Sequence, residues 1–136
     1  MKMTIIRNLL LVLGIHSLSM WVVVPIIVIY SKITNGIIYH GNLGILLMGL
    51  VSAIPTALVA LGAGILSVHT LEGRSRKYWL AMLALLYGIL GFLAHHWVRS
   101  PGIIDRVSQL LQSIVPAIAC FLAGSIALNT SQSKTQ

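Results

Sequence analysis

Four stretches of this chain contain no aspartate, glutamate, lysine or arginine: Asn8–Ser31, Ile33–Leu71, Tyr78–Val98 and Val107–Ser133. An α-helix needs roughly 20 apolar residues to cross the hydrocarbon of a bilayer. The first, third and fourth stretches each fit one crossing. The second is longer, but Thr34-Asn35-Gly36 and His40-Gly41-Asn42 are turn-forming residues at its start. The pattern predicts spans over Asn8–Tyr30, Leu43–Val68, Tyr78–Val98 and Ile103–Leu128. Backbone facing lipid has no water to bond, so such spans must be helical, even through Val22-Val23-Val24. The expectation is an all-α membrane protein: one integral membrane domain over 1–136, folded as a four-transmembrane-helix antiparallel bundle.

Composition agrees. The chain is 57% hydrophobic and 8% charged, where a soluble domain carries about 25% charged residues. So few charges cannot cover a water-facing surface, which makes the lipid bilayer the expected partner. The net charge of +7 does not mark a nucleic-acid binder. The nine lysines and arginines lie between the apolar stretches, with no basic stripe or groove. Cys120, the single cysteine, excludes an internal disulfide and any CxxC pair. It is expected to act as a small packing residue.

The basic residues set direction. Four crossings put both termini and the middle link on one side, with Lys2, Arg7, Arg74, Arg76, Lys77 and Lys134. The other side has Lys32, Arg99 and Arg106. Six against three places both termini in the cytoplasm by the positive-inside rule. The first stretch outruns the apolar region of a signal peptide and lacks a small-residue cleavage site, so it is read as a retained helix. Tyr78 and Trp79 at one boundary, and Tyr30, Tyr39 and Trp97 at the other, form the expected interfacial belts. Trp21 and Tyr87 fall mid-span and are expected between helices. The short links and the lack of a soluble domain point to a bacterial cytoplasmic (inner) membrane.

Small residues four apart are expected where helices approach: Ala53 and Ala57, Ala60 and Gly64, Ala84 and Gly88, and Ala119, Ala123 and Ala127. Packing within the chain is the simpler role for these faces, and a homo-oligomer seam is the alternative. Pro25, Pro55 and Pro116 each remove a helical donor and are expected to kink their spans. At an offset of 61, five residues of the second span, from Leu50 to Ile65, match five of the fourth. Apolar composition alone produces such matches.

The chemistry is sparse. With no charge inside any of the four stretches, the carboxylate or ion pair typical of proton-coupled pumps is missing from them. The polar intramembrane candidates are His16, Ser19, Gln109 and Gln112. His16 stands about 12 Å of helix rise past Asn8, and Ser19 shares its face. A hydrogen-bonded neutral imidazole is the plain reading, and a proton relay or haem ligand the sharper one. A bis-histidine haem needs two histidines at one depth. His69 sits at the inner edge of its span and His95 about 26 Å along the third, so neither matches His16.

On the outer face, His40, His95, His96 and Asp105 are the candidate metal ligands. Against them, adjacent histidines diverge by about 100° on a helix and rarely share an ion. Ser100-Pro101 reads as a helix start. After it, Asp105, Gln109 and Gln112 form a polar face, either an interfacial helix start or a vestibule. No P-loop, GxSxG, HExxH or zinc spacing occurs. Glu72 and Asp105, the two carboxylates, fall on opposite sides of the predicted topology.

No cofactor and no catalytic set are predicted. The expected function is that of a non-catalytic accessory, assembly or immunity-type membrane subunit, working through a membrane-protein partner or a homo-oligomer. A small transporter or pore-former is the first alternative. A metal or redox protein using the outer-face histidines is the second.

Overall fold

The computed structural model describes residues 2–34, 41–73, 75–96 and 103–133. All four elements among them are α-helices: α1 (Lys2–Thr34), α2 (Gly41–Thr70), α3 (Arg76–His96) and α4 (Ile103–Ser133). Each holds a segment long and apolar enough to cross a membrane: Met3–Ile26, Leu46–Thr70, Arg76–Leu93 and Arg106–Ser131. The helices overrun the predicted spans at most ends, because length and apolarity fix the crossing while the backbone keeps its hydrogen bonds beyond it. α1 has 33 residues and α3 has 21, or about 50 Å against about 32 Å. Helix continues through Pro25, Pro55 and Pro116.

Contacts between named residues give the relative directions. Arg7 and Asn8 of α1 bond to the end of α2 and the residue after it, so α1 and α2 run antiparallel. Gly49 faces Ser108 and Gly64 faces Cys120, so α2 and α4 run parallel. Gly91 faces Ser113 and Gly124 faces Leu80, so α3 and α4 run antiparallel. The α2–α4 pairing is the most extensive, and α1 lies against α2 and α3.

The α2–α4 seam is a contact of backbones. A Cβ on Gly64 would collide with the Cys120 carbonyl oxygen. One on Gly124 would meet the Leu80 methyls and stand 3.0 Å from the Gly64 carbonyl oxygen. One on Gly49 would strike the Ser108 side chain and stand 3.0 Å from its Cα. Ala53 and Ala60 are buried along the same face of α2. On α4 the buried line is Pro116, Cys120, Gly124 and Leu128, one residue over from the expected stripe. Ala119, Ala123 and Ala127 are half-buried flanks. Both lines have a four-residue spacing, and the glycine admits the closer approach.

The core draws on all four helices: Val12 and Ile15, Ala60 and Ala63, Leu80, Leu83 and Tyr87, and Cys120, with Leu71 closing one end. Tyr87 lies between helices as expected. Trp21 does not: it is 81% exposed. An indole gains nothing by leaving lipid, so a mid-span position gives no drive to bury it.

Candidate functional site

Two polar clusters hold α1 in place. The first is at the α2–α3 link. α2 ends with the Leu71 amide donating to the Ser67 carbonyl at 2.8 Å. The chain then turns through Gly73, whose φ of +91° is the left-handed conformation that favours glycine. Asn8, 1% exposed, meets this turn with both ends of its amide. Its Nδ2 donates to the Glu72 carbonyl at 2.9 Å, and its Oδ1 accepts from the Glu72 amide at 3.4 Å. The side chain thus supplies a donor and an acceptor to a residue that has left the helix and lost its ladder partners. Arg7 adds an ion pair to the Glu72 carboxylate at 2.7 Å and donates to the Thr70 carbonyl at 3.3 Å. The N-terminal end of α1 and the α2–α3 link therefore share one end of the molecule.

The second cluster is deeper. Among the described side chains of α1, Asn8, Val12, Ile15, His16, Ser19 and Val23 are buried, a line that recurs every three or four residues as one helix face requires. Ser19 Oγ donates to the His16 carbonyl at 2.6 Å, satisfying itself within the helix. The Tyr87 hydroxyl, from α3, donates in turn to Ser19 Oγ. The His16 and Tyr87 rings meet edge to face, centroids 4.9 Å apart and planes at 61°. His16 is 7% exposed, and its Nε2 has no hydrogen-bond partner. Leaving such an atom unsatisfied costs about 1–3 kcal/mol. The hydrogen bond expected for the His16 imidazole is not made at Nε2. Its neighbour Ser19 bonds to the backbone, and the aromatic contact occupies the ring without supplying a partner atom.

Gln109 and Ser108 are buried at the start of the α4 contact surface and Gln112 is half-buried, whereas Val107 and Leu110 face outward. Ser113 donates back to the Gln109 carbonyl at 3.0 Å. This polar start of α4 turns partly into the molecule, and it stands apart from His16 and Ser19, which belong to the α1–α3 contact.

Of the candidate metal ligands, His40 lies outside the described residues. His95 and His96 end α3 and Asp105 lies in the first turn of α4, and their side chains also fall outside what is described. Ser100 and Pro101 lie outside it too. Among the described residues no three histidine, cysteine, aspartate or glutamate side chains group to hold a metal ion.

Between α3 and α4 runs an open groove of about 690 Å³. Ala84, Gly88 and Ala117 form its floor, and Leu85, Phe92 and Phe121 stand on its rim. No lining side chain carries a polar atom. A Cβ on Gly88 would sit 3.8 Å from the Ala117 Cβ, an ordinary contact.

Compared with family models, with curated proteins and with solved structures, the chain has no match.

Proposed function

We propose that this chain is a non-catalytic subunit of a membrane assembly, and that a transmembrane helix of a different membrane protein docks in the α3–α4 groove. The groove is the observation that carries this reading. Lipid leaves no hydrophobic drive for helix association, so association rests on close packing at small residues. Ala84 and Gly88 supply such a floor on the outer side of the bundle, between aromatic and leucine rims. The rims suit a bulky apolar side chain pointing inward from a partner helix. The α2–α4 seam supports the same reading, since its small residues are already used within the chain.

In this reading the four helices cross the bilayer as an antiparallel bundle, with both termini in the cytoplasm of a bacterial inner membrane. The excess of Lys and Arg on the side of the termini and the α2–α3 link supports that direction. Reporter fusions at each terminus check it.

The test of function is native mass spectrometry of the full chain, extracted in mild detergent at native expression. A different polypeptide in fixed ratio supports the proposal, with Gly88→Leu lowering its retention about tenfold or more. Gly88→Ala, which the chain itself accommodates, should lower it less. Retention of only lipid, only a second copy, or nothing would overturn it.

A further inference from the structure

Met3, Ile6, Arg7 and Leu10 stand three or four residues apart on one exposed face of α1. With Thr4 and Glu72 they line an open concavity of about 590 Å³, inside the ~300–1,000 Å³ range of small-molecule sites. It shares no residue with the α3–α4 groove. Arg7 and Glu72 each flank a charge-free stretch, Arg7 before Asn8 and Glu72 after Leu71. The pair thus marks the level where apolar chain gives way to charge, which is the level of lipid headgroups. Leu10 lies three residues beyond Arg7, or about 4.5 Å of helix rise, into the apolar stretch.

Topology and stability account for Arg7 but not for the Glu72 carboxylate. The positive-inside rule counts lysine and arginine, and acidic residues contribute little to it. An ion pair as exposed as this one adds little to stability. The bonds that fasten Asn8 use the Glu72 backbone and do not need its side chain. What the carboxylate adds is a negative charge 2.7 Å from a positive one at the edge of the lipid.

We propose that this pair binds an ethanolamine phospholipid, its phosphate on Arg7 and its ammonium on Glu72. A guanidinium has five N–H donors in a fork that matches phosphate. Arg7 can therefore keep its bonds to Glu72 and Thr70 and still donate to phosphate oxygens. A carboxylate accepts at about four lone-pair positions, so Glu72 can hold Arg7 and an ammonium together. One acyl chain then follows Leu10 along the outer face of α1. Other headgroups match the pair less well. Choline has no N–H for the carboxylate and favours an aromatic face. Among the described residues no aromatic side chain lines the concavity. An anionic glycerol headgroup sets no cation against Glu72 and brings its own charge beside the carboxylate. Lys2, Arg74, Arg76 and Lys77 draw anionic lipid to this end of the chain as a diffuse effect that salt screens. The Arg7–Glu72 contact selects among headgroups at short range.

The test is native mass spectrometry of the full chain released from nanodiscs. The bilayer holds equal parts of ethanolamine, choline and glycerol phospholipids with the same acyl chains. The ethanolamine lipid should be retained about fivefold over each of the others. Glu72→Gln keeps the backbone bonds to Asn8 but loses the charge, and should bring ethanolamine and choline lipids to equal retention. Arg7→Gln should lower the retention of both. Preferred retention of the glycerol lipid, or equal retention of all three, would overturn the proposal. So would an ethanolamine preference that survives Glu72→Gln, or retention that Arg7→Gln leaves unchanged. The headgroup comparison on the unaltered chain needs no substitution, so a variant that fails to fold leaves the proposal open to refutation.

Discussion

The α2–α4 seam and the α1–α3 contact hold helices together by opposite means. In the seam, Gly64 lies on the Cys120 carbonyl and Gly124 on the Gly64 carbonyl, so main chains touch and no side-chain hydrogen bond between the two helices is needed. α1 instead has a thin apolar line interrupted by Asn8, His16 and Ser19, and is held by hydrogen bonds to Glu72 and Tyr87. Lipid solvates apolar side chains as well as a protein interior does, so only close backbone approach and polar pairing discriminate one helix arrangement from another. The seam relies on the first. The α1 contact relies on the second, and its strength should change when a hydrogen-bonding group is removed.

Substitutions ordered by size of effect can break that contrast. Gly64→Val should be the most damaging. Its side chain has nowhere to go but into the Cys120 backbone, and a loss of about 3 kcal/mol or more is expected in denaturant titration of the detergent-solubilised chain. Gly62→Ala is its control: nothing lies within 4 Å of the added Cβ, and a gain of about 0.5 kcal/mol is expected from helix propensity. Asn8→Leu comes next. It strips donor and acceptor from the Glu72 backbone at a buried position and should cost about 1–2 kcal/mol, with faster exchange of the Glu72 amide as a local readout.

Tyr87→Phe keeps the ring against His16 but removes the hydroxyl from Ser19. A loss of about 0.6 kcal/mol is typical of one interhelical hydrogen bond in a membrane protein, seen in the same titration. Glu72→Gln should be smallest. The Arg7 and Glu72 side chains are 45% and 60% exposed, so solvent and salt screen the pair. An effect of about 0.5 kcal/mol or less, shrinking further as salt is raised, is expected. If Tyr87→Phe proves costlier than Gly64→Val, the contrast between the two contacts is wrong.

The helices were legible in the sequence because absence of charge over twenty residues is a strong signal. Their partners were less so. Ala119, Ala123 and Ala127 looked like the seam of α4, and the spacing was right. The choice between that line and Pro116–Cys120–Gly124 depends on which residues of α2 stand opposite, which no single span encodes. Trp21 and Tyr87 are both mid-span aromatics, yet one faces outward and the other is enclosed. What separates them is the hydroxyl of Tyr87, which finds Ser19. His16 and Ser19 were identifiable as polar residues on one face, but not the Tyr87 hydrogen bond or the orphaned nitrogen. The Asn8–Glu72 pairing left no trace at all, because it joins a side chain to backbone groups exposed only by the shape of the turn at Gly73.

The short third charge-free stretch has a consequence of its own. Tyr78–Val98 has 21 residues between Lys77 and Arg99, barely more than the ~30 Å of a typical hydrocarbon layer, whereas the other three stretches have length to spare and can tilt to fit. A thicker bilayer therefore outreaches α3 before any other helix. α3 carries Leu80, Leu83 and Tyr87 into the core, so a mismatch felt at its ends is passed to its neighbours. Membrane thickness thus becomes a variable the packing must answer to, and thin bilayers are where this chain should be most at ease.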